Sequence, residues 1–579
     1  MSSSDADSRE PSAEMAIDSG RATDGTFDVC IIGGGVNGSG VARDLALRGA
    51  RVVLFERNDL AFGASGNSSG MIHGGVRYLQ SNPKVTKDSC RDSGYIQKIA
   101  PHLLFRIPFL MPVAAGAKGK ILVELIDAYF KAYDDYQPLK RSKPHVRLSE
   151  SDIRELEPGV VTRSSGGVGF DEWGIDGARL CTLNAVDAKE HGAQIHLHTS
   201  VESIGKSPPE DAGRGRKSPA AYLVRAKDTA TGKAISVRAR FVVNATGAWG
   251  PITAALGGFA TKRVRVRPGK GIHVVLDRRL SNYGVLGEAI DGRQIFVEPW
   301  QNMSVIGTTD DDFYGDLDDV TATSEEVRYL VQGIARVFPT IRQARAIGTY
   351  AGVRPTLYAF GPNEDALSRE HLIVDHEKDG APGVYSMIGG KLASYRLFAQ
   401  EMSDVIGPLV APGSVCTTHE KPLPGGDKVP DALKLAVDVE LTPVTSRRLV
   451  YRHGSRANRI VQRLVKKPRE RAVVCACEPV IEAEIRHAVQ HEMARTVDDV
   501  ARRTRLGLGA CGGMRCAARC GQIVAEERGL APAEGLAQAR RFLERQAKTR
   551  VVAMGPDQAR QEALALAQLR STLGTKESK

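Results

Sequence analysis

The run from Phe27 to Glu56 constrains this chain more than any other stretch. Phe27-Asp28-Val29-Cys30-Ile31-Ile32 is an apolar strand pattern, and Gly33-Gly34-Gly35-Val36-Asn37-Gly38 is a glycine turn. Ser39 to Gly49 reads as a helix, and Arg51-Val52-Val53-Leu54-Phe55 is a second strand that ends on Glu56. Strand, glycine turn, helix, strand and acid, in that order, form the fingerprint of a βαβ dinucleotide-binding unit. Gly33 permits the tight turn, Gly35 lets a pyrophosphate approach the backbone, and Gly38 lets the helix pack close to the strand. The helix N-terminus offers free N–H groups to phosphate, and Glu56 is placed to accept hydrogen bonds from ribose hydroxyls. A Rossmann-like sheet holding an adenine dinucleotide is the expected centre of the molecule.

The residues after Glu56 indicate which dinucleotide. A nicotinamide enzyme continues into another strand–helix unit, whereas here Ala61 to Gly75 is crowded with small residues, among them Ser65, Ser68 and Ser69. Such a backbone can lie flat against a large planar group. The run ends in Ile72-His73-Gly74-Gly75-Val76-Arg77-Tyr78. It resembles the flavin-contacting loop of the FAD-dependent glycerol-3-phosphate dehydrogenases. Further runs carry the resemblance: Phe241 to Trp249 with its Ala245-Thr246-Gly247 turn, Ala351-Gly352-Val353-Arg354-Pro355, Ser368-Arg369-Glu370-His371, and Gly389-Gly390-Lys391-Leu392 leading into Arg396. The similarity extends from about Phe27 to Ile406. One departure is Trp173, which stands where the family usually has an aspartate.

The resemblance implies a two-domain α/β oxidoreductase, with a Rossmann-like FAD domain interleaved with an antiparallel-sheet substrate cap and a small helical cysteine-cluster domain behind. Gly33, Gly35, Gly38, Glu56, Ser65, Ser68, Ser69, Thr246, Gly247, Gly389, Gly390, Lys391 and Leu392 are then expected to contact FAD. Arg77, Tyr78 and Arg369 are expected at the substrate, and His73, Arg354 and Lys391 in catalysis. The chemistry of sn-glycerol 3-phosphate matches these residue types. Its dianionic phosphate calls for guanidinium and ammonium groups, and its secondary alcohol must lose a hydride to flavin N5 and a proton to a base. His73 has a side chain suited to that proton, with substrate orientation as its other reading. Arg354 and Lys391 are the cations expected to stabilise developing negative charge. His273, in an alternating stretch, reads as a side chain on a sheet face.

At 579 residues the chain needs more than one core. We divide it into a polar tail (1–24), the oxidoreductase body (25–410), a linker with a basic stretch (411–470), a cysteine segment (471–525) and a polar helical end (526–579). Neither a signal-peptide pattern nor an apolar run of spanning length is present, so a cytoplasmic protein with at most peripheral contact on the inner membrane is expected. The net charge of +11 is concentrated between Arg447 and Arg471, where eight further Lys and Arg residues are opposed only by Glu470. That pattern reads as a solvated helix face or as a dock for anionic lipid or an acidic partner. With Tyr451 as its single aromatic it does not read as a nucleic-acid site.

Five of the nine cysteines lie after residue 470: Cys475, Cys477, Cys511, Cys516 and Cys520. Cys-x-Cys, a helical interval and Cys-x4-Cys leave an iron–sulfur cluster, a zinc ion or plain thiols open. The arrangement resembles the bacterioferritin-associated ferredoxin-like domain, which implies a [2Fe–2S] cluster on Cys475, Cys477, Cys511 and Cys516. Flavin body and cysteine segment together resemble the A subunits of anaerobic glycerol-3-phosphate dehydrogenases, implying electron transfer to partner subunits or quinone. Two readings compete: a flavin enzyme of the same fold acting on another 2-hydroxy acid or an amine, and a non-catalytic electron-transfer subunit. The cation set argues against an amine, and a pure relay needs no anion pocket.

Overall fold

The structure, a computed structural model, describes residues 25–160, 163–207, 221–259, 263–361, 367 and 370–572. The expected tail and Arg369 lie outside the described residues.

The strand Gly25–Ile32 runs parallel to Val52–Phe55 on one side and to Ala234–Asn244 on the other. Gln194–His196 and Val384–Gly389 extend this parallel centre, and His371–Asp375 closes one edge antiparallel. Sheets of this kind are covered on both faces, so their strands are apolar throughout. Val29, Ile31, Val52 and Leu54 are accordingly buried against the helices Val36–Leu47 and Tyr395–Val410. Cys30, Val53 and Val242 face a second core that contains the hairpin Thr199–Ser207/Ala221–Asp228.

Between the strands of that sheet the chain leaves twice to build a second, nine-stranded sheet. Its long members are Leu104–Ala114, Ser164–Ile175, Val266–Leu276 and Ala346–Leu357. Pairing is antiparallel as expected, except where Gly284–Glu288 runs parallel to Leu104–Ala114. One face packs on the helix Ser324–Ile334, which is started by a Thr323/Glu326 capping box. The other face looks back toward the nucleotide sheet and forms one wall of the site.

The stretch 411–470 does not run as a linker. The helices Ala432–Asp438, Pro443–His453 and Ala457–Lys466 bury Leu435, Leu449, Ile460 and Leu464 in one core with Ile481 and Ala483. The charge run hid this, because its arginines are largely consumed in internal pairs. Arg452 meets Glu484, Arg456 meets Glu190, Arg463 meets Glu470, and Arg471 meets Glu440. The cysteines sit in an adjoining core enclosed by Glu482–His491, Val497–Thr504, Ala517–Arg528 and Pro532–Val551. Buried ion pairs join this C-terminal unit to the nucleotide domain: Arg179 with Glu492, and Arg503 with Asp59. No described helix is long and apolar enough to cross a membrane.

Candidate active site

The glycine turn has the expected geometry. Gly33 sits at φ +109°, and a Cβ there would stand 2.6 Å from the Ala245 carbonyl oxygen. A Cβ on Gly38 would lie 2.0 Å from the Gly33 oxygen, so only glycine lets the helix approach its strand. Glu56 is fixed where it was expected. Its two carboxylate oxygens accept from the Gly34 N–H at 2.7 Å and the Asn58 N–H at 2.8 Å, while burial raises its pKa. Ser65 Oγ accepts from the Val36 N–H at 3.0 Å and so ties the small-residue loop to the helix mouth.

A cavity of about 660 Å³ runs from this turn between the two sheets. All the expected FAD contacts line it except Gly38, which acts through packing. Gly389, Gly390, Lys391 and Leu392 line it too, just before the helix Tyr395–Val410. His73, Arg77, Tyr78, Arg354 and Lys391 line the same space. The structure therefore brings together every described residue of the expected catalytic and substrate sets.

The cations are organised around Tyr78. Lys391 Nζ stands 3.7 Å from its ring centroid and Arg77 Cζ 5.0 Å, so one aromatic ring attracts both positive groups. Arg354 comes from the substrate sheet. Its Nη1 donates to Asp310 Oδ1 at 2.9 Å and to the Thr309 carbonyl at 3.2 Å, and Nη2 donates to Thr308 Oγ1 at 3.1 Å. This guanidinium crosses Gly271, where a Cβ would meet Nη2 at 2.4 Å. His73 Nδ1 accepts from the Gly75 N–H at 3.0 Å. That bond directs its other nitrogen away from the loop backbone.

Two residues of the site were not singled out from the sequence, and a third, His273, was read only as a side chain on a sheet face. Glu172 is buried behind the His73–Gly75 loop, takes the Gly74 N–H at 3.2 Å and pairs with Lys140 at 3.1 Å. The adjacent acids Asp171 and Glu172 within a strand pattern were its only signal. Arg293 lines the cavity and donates to the Asp310 carbonyl at 2.8 Å; nothing local distinguishes it from a surface arginine. His273 is on a sheet face, but that face is the cavity wall. It stacks on Tyr350 with centroids 4.6 Å apart and meets Ser69 Oγ at 3.2 Å. Burial, with Arg354 nearby, lowers its pKa to about 3, so it stays neutral.

The four cysteines converge in two pairs. Cys477 Sγ and Cys511 Sγ are 3.8 Å apart. Cys516 is the main influence on the Cys475 thiol, bringing it down to about 6, and Cys475 in turn raises Cys516. Cys520 is fully buried, and its burial pushes the thiol well up. Among the described residues no three of these sulfurs lie mutually within 4.8 Å; the group that does so is His453, His487 and Glu492.

Comparison with known proteins bears on the family and the fold. The model of the family "FAD dependent oxidoreductase" matches residues 28–396, and that of the "C-terminal domain of alpha-glycerophosphate oxidase" matches 416–534. The chain is 31% identical over 519 residues to the A subunit of the anaerobic glycerol-3-phosphate dehydrogenase of Escherichia coli K12, covering 89% of this chain and 91% of the relative. It is 29% identical to the D-erythritol 1-phosphate dehydrogenase of Brucella abortus, covering 83% and 94%. The FAD complex of the glycerol-3-phosphate dehydrogenase from Bacillus halodurans shares the fold, with a TM-score of 0.69 and 23% identity over 92% of this chain and 96% of that one.

Proposed function

Because the chain belongs to the FAD-dependent glycerol-3-phosphate dehydrogenase family, we propose that it oxidises sn-glycerol 3-phosphate to dihydroxyacetone phosphate. The observation that carries this reading is one cavity in which Arg77, Lys391 and Arg354 converge beside the nucleotide turn. Bound FAD supplies the hydride acceptor at N5. Everything else is work for side chains.

Arg77 and Lys391, spaced by the Tyr78 ring, hold the phosphate dianion at one end of the substrate. Asp310 and Thr308 keep the Arg354 guanidinium in a fixed orientation. Its pre-set dipoles therefore stabilise negative charge on the C2 oxygen without reorganisation. An imidazole whose Nδ1 accepts from Gly75 carries its neutral-state proton on Nε2. His73 is thus better suited to donate a hydrogen bond to the C2 oxygen than to abstract its proton, which passes to water at the cavity. Of the two readings we therefore favour the orienting role. Replacing His73 by Asn should lower kcat while leaving the acid limb of the pH–rate profile in place; disappearance of that limb would restore His73 as the base.

The thiol geometry supports the [2Fe–2S] reading of Cys475, Cys477, Cys511 and Cys516. A tetrahedral zinc with Zn–S bonds of about 2.3 Å draws all four sulfurs to within roughly 3.8 Å of one another. Two separate close pairs suit two irons better. Such a cluster supplies a one-electron relay toward a partner subunit or quinone. Iron and acid-labile sulfide analysis of anaerobically purified protein tests it, and zinc in their place would refute it.

One relative acts on a longer polyol phosphate, so D-erythritol 1-phosphate is the second substrate to assay. Steady-state dye reduction with each ester decides between them. A kcat/KM higher for the four-carbon ester would overturn the assignment to glycerol 3-phosphate.

A further inference from the structure

The wall of the substrate sheet continues past the cavity to the cysteines. On the strand Gln294–Trp300, Phe296, Glu298 and Trp300 alternate onto one face. Phe296 lines the cavity, Glu298 is fully buried, and Trp300 ends the row. The Trp300 ring atoms Cζ3 and Cη2 stand 2.7 and 2.8 Å from the place of a Cβ on Gly70. Gly70 lies at φ +68° and lines the cavity between Ser69 and Met71, so the indole fills the space that its missing side chain leaves.

The same ring reaches the C-terminal unit. Arg505 Cζ is 5.5 Å from its centroid, and Arg505 Nε is 3.5 Å from Glu478, the neighbour of Cys477. Ala510, which precedes Cys511, packs in one apolar group with Trp300, Met303 and Val305. Gly509 is in turn pressed on Cys477, with 2.3 Å between its absent Cβ and that of the cysteine. Phe105 meets the indole edge-on at 5.1 Å and holds it in place. One side chain therefore touches both the flavin-facing loop and the thiol-bearing segment.

We propose that Trp300 is the bridge over which electrons pass from the flavin site to the cysteine site. The proposal rests on the reading of Cys475, Cys477, Cys511 and Cys516 as iron–sulfur ligands. Oxidation of one substrate molecule delivers a hydride, two electrons with one proton, to the flavin. Two successive one-electron transfers each convert one ferric centre to ferrous, and an external one-electron oxidant such as ferricyanide reoxidises it after each. The proton returns to water. The indole is not itself oxidised; it replaces a gap with closely packed atoms, across which electronic coupling decays less steeply than through empty space or solvent.

The test uses the full-length, FAD-loaded, iron-containing protein and its Trp300→Phe and Trp300→Leu variants, mixed anaerobically with sn-glycerol 3-phosphate. Flavin bleaching is followed by absorbance, and appearance of the reduced cluster by rapid-freeze EPR. Flavin bleaching should keep its wild-type rate in both variants. The EPR signal should appear about tenfold later in Trp300→Leu, with Trp300→Phe in between, although dithionite reduces all three proteins fully. Unchanged EPR kinetics in Trp300→Leu, with iron content intact, would overturn the bridge and leave the cluster reading standing. A wild-type protein without iron would remove the cluster reading itself. Loss of iron from both variants would make Trp300 a structural prop and also refute the bridge.

Discussion

Arg354 illustrates how much of this site depends on single side-chain geometries. Its three hydrogen bonds to the 308–310 turn and its passage over Gly271 need a planar fork, which lysine lacks. Arg354→Lys should therefore lower kcat/KM for glycerol 3-phosphate about 100-fold, near 3 kcal/mol of transition-state stabilisation; a change below fivefold would deny it a catalytic role. Glu298 behaves in the opposite way. Among the described residues neither of its oxygens has a hydrogen-bond partner, and burial raises its pKa well above 4.5. The folded chain thus keeps a proton there that the unfolded chain gives up above pH 4.5, so this group costs stability as pH rises. Glu298→Gln should raise Tm relative to wild type, by a margin that grows from pH 4.5 toward neutrality. A pH-independent difference in thermal melts would contradict this.

At the scale of the element, the glycine turn is the piece most legible in the sequence. Its constraints are local: Gly33 must take a positive φ, and Gly38 must admit the Gly33 oxygen. Gly38→Ala should abolish FAD retention on gel filtration and cost about 1–3 kcal/mol of stability by overpacking; a variant that elutes with full flavin would contradict the close approach. The small-residue loop was legible because a backbone lying against a large planar group demands small residues, whereas the Gly389–Leu392 run was marked only by its resemblance to the family. The stretch 411–470 was misread for the converse reason. Its partners Glu190, Glu440 and Glu484 are distant in sequence, so the pairs made by Arg456, Arg471 and Arg452 were invisible in it, although Arg447, Arg459, Lys466, Lys467 and Arg469 stay exposed as on a solvated face. Glu172 and Arg293 stayed hidden likewise, since their roles arise only where strands far apart in the chain meet.

Over the whole molecule, one interleaved body carries two sheets with the cavity between them, and the cysteine unit is locked on by buried ion pairs. Glu492 is central to that lock. Burial would raise its pKa, but Arg179 and His453 hold it well below 4.5. Its stabilisation is complete above an unfolded glutamate's 4.5 and is lost as pH falls through the lower folded value. Protease sensitivity of the C-terminal unit should therefore rise below pH 4.5, and Glu492→Gln should show that sensitivity already at neutral pH. Equal protection of both proteins across this range would refute the lock. The account as a whole stands on the cavity's match to one phosphorylated alcohol. It is tested most directly by mixing the FAD-loaded protein anaerobically with sn-glycerol 3-phosphate and following flavin absorbance. We predict saturable bleaching, with one dihydroxyacetone phosphate formed for every electron pair that the flavin and the cysteine-bound cluster together take up. A flavin that stays oxidised, or that bleaches equally well with unphosphorylated glycerol, would contradict it.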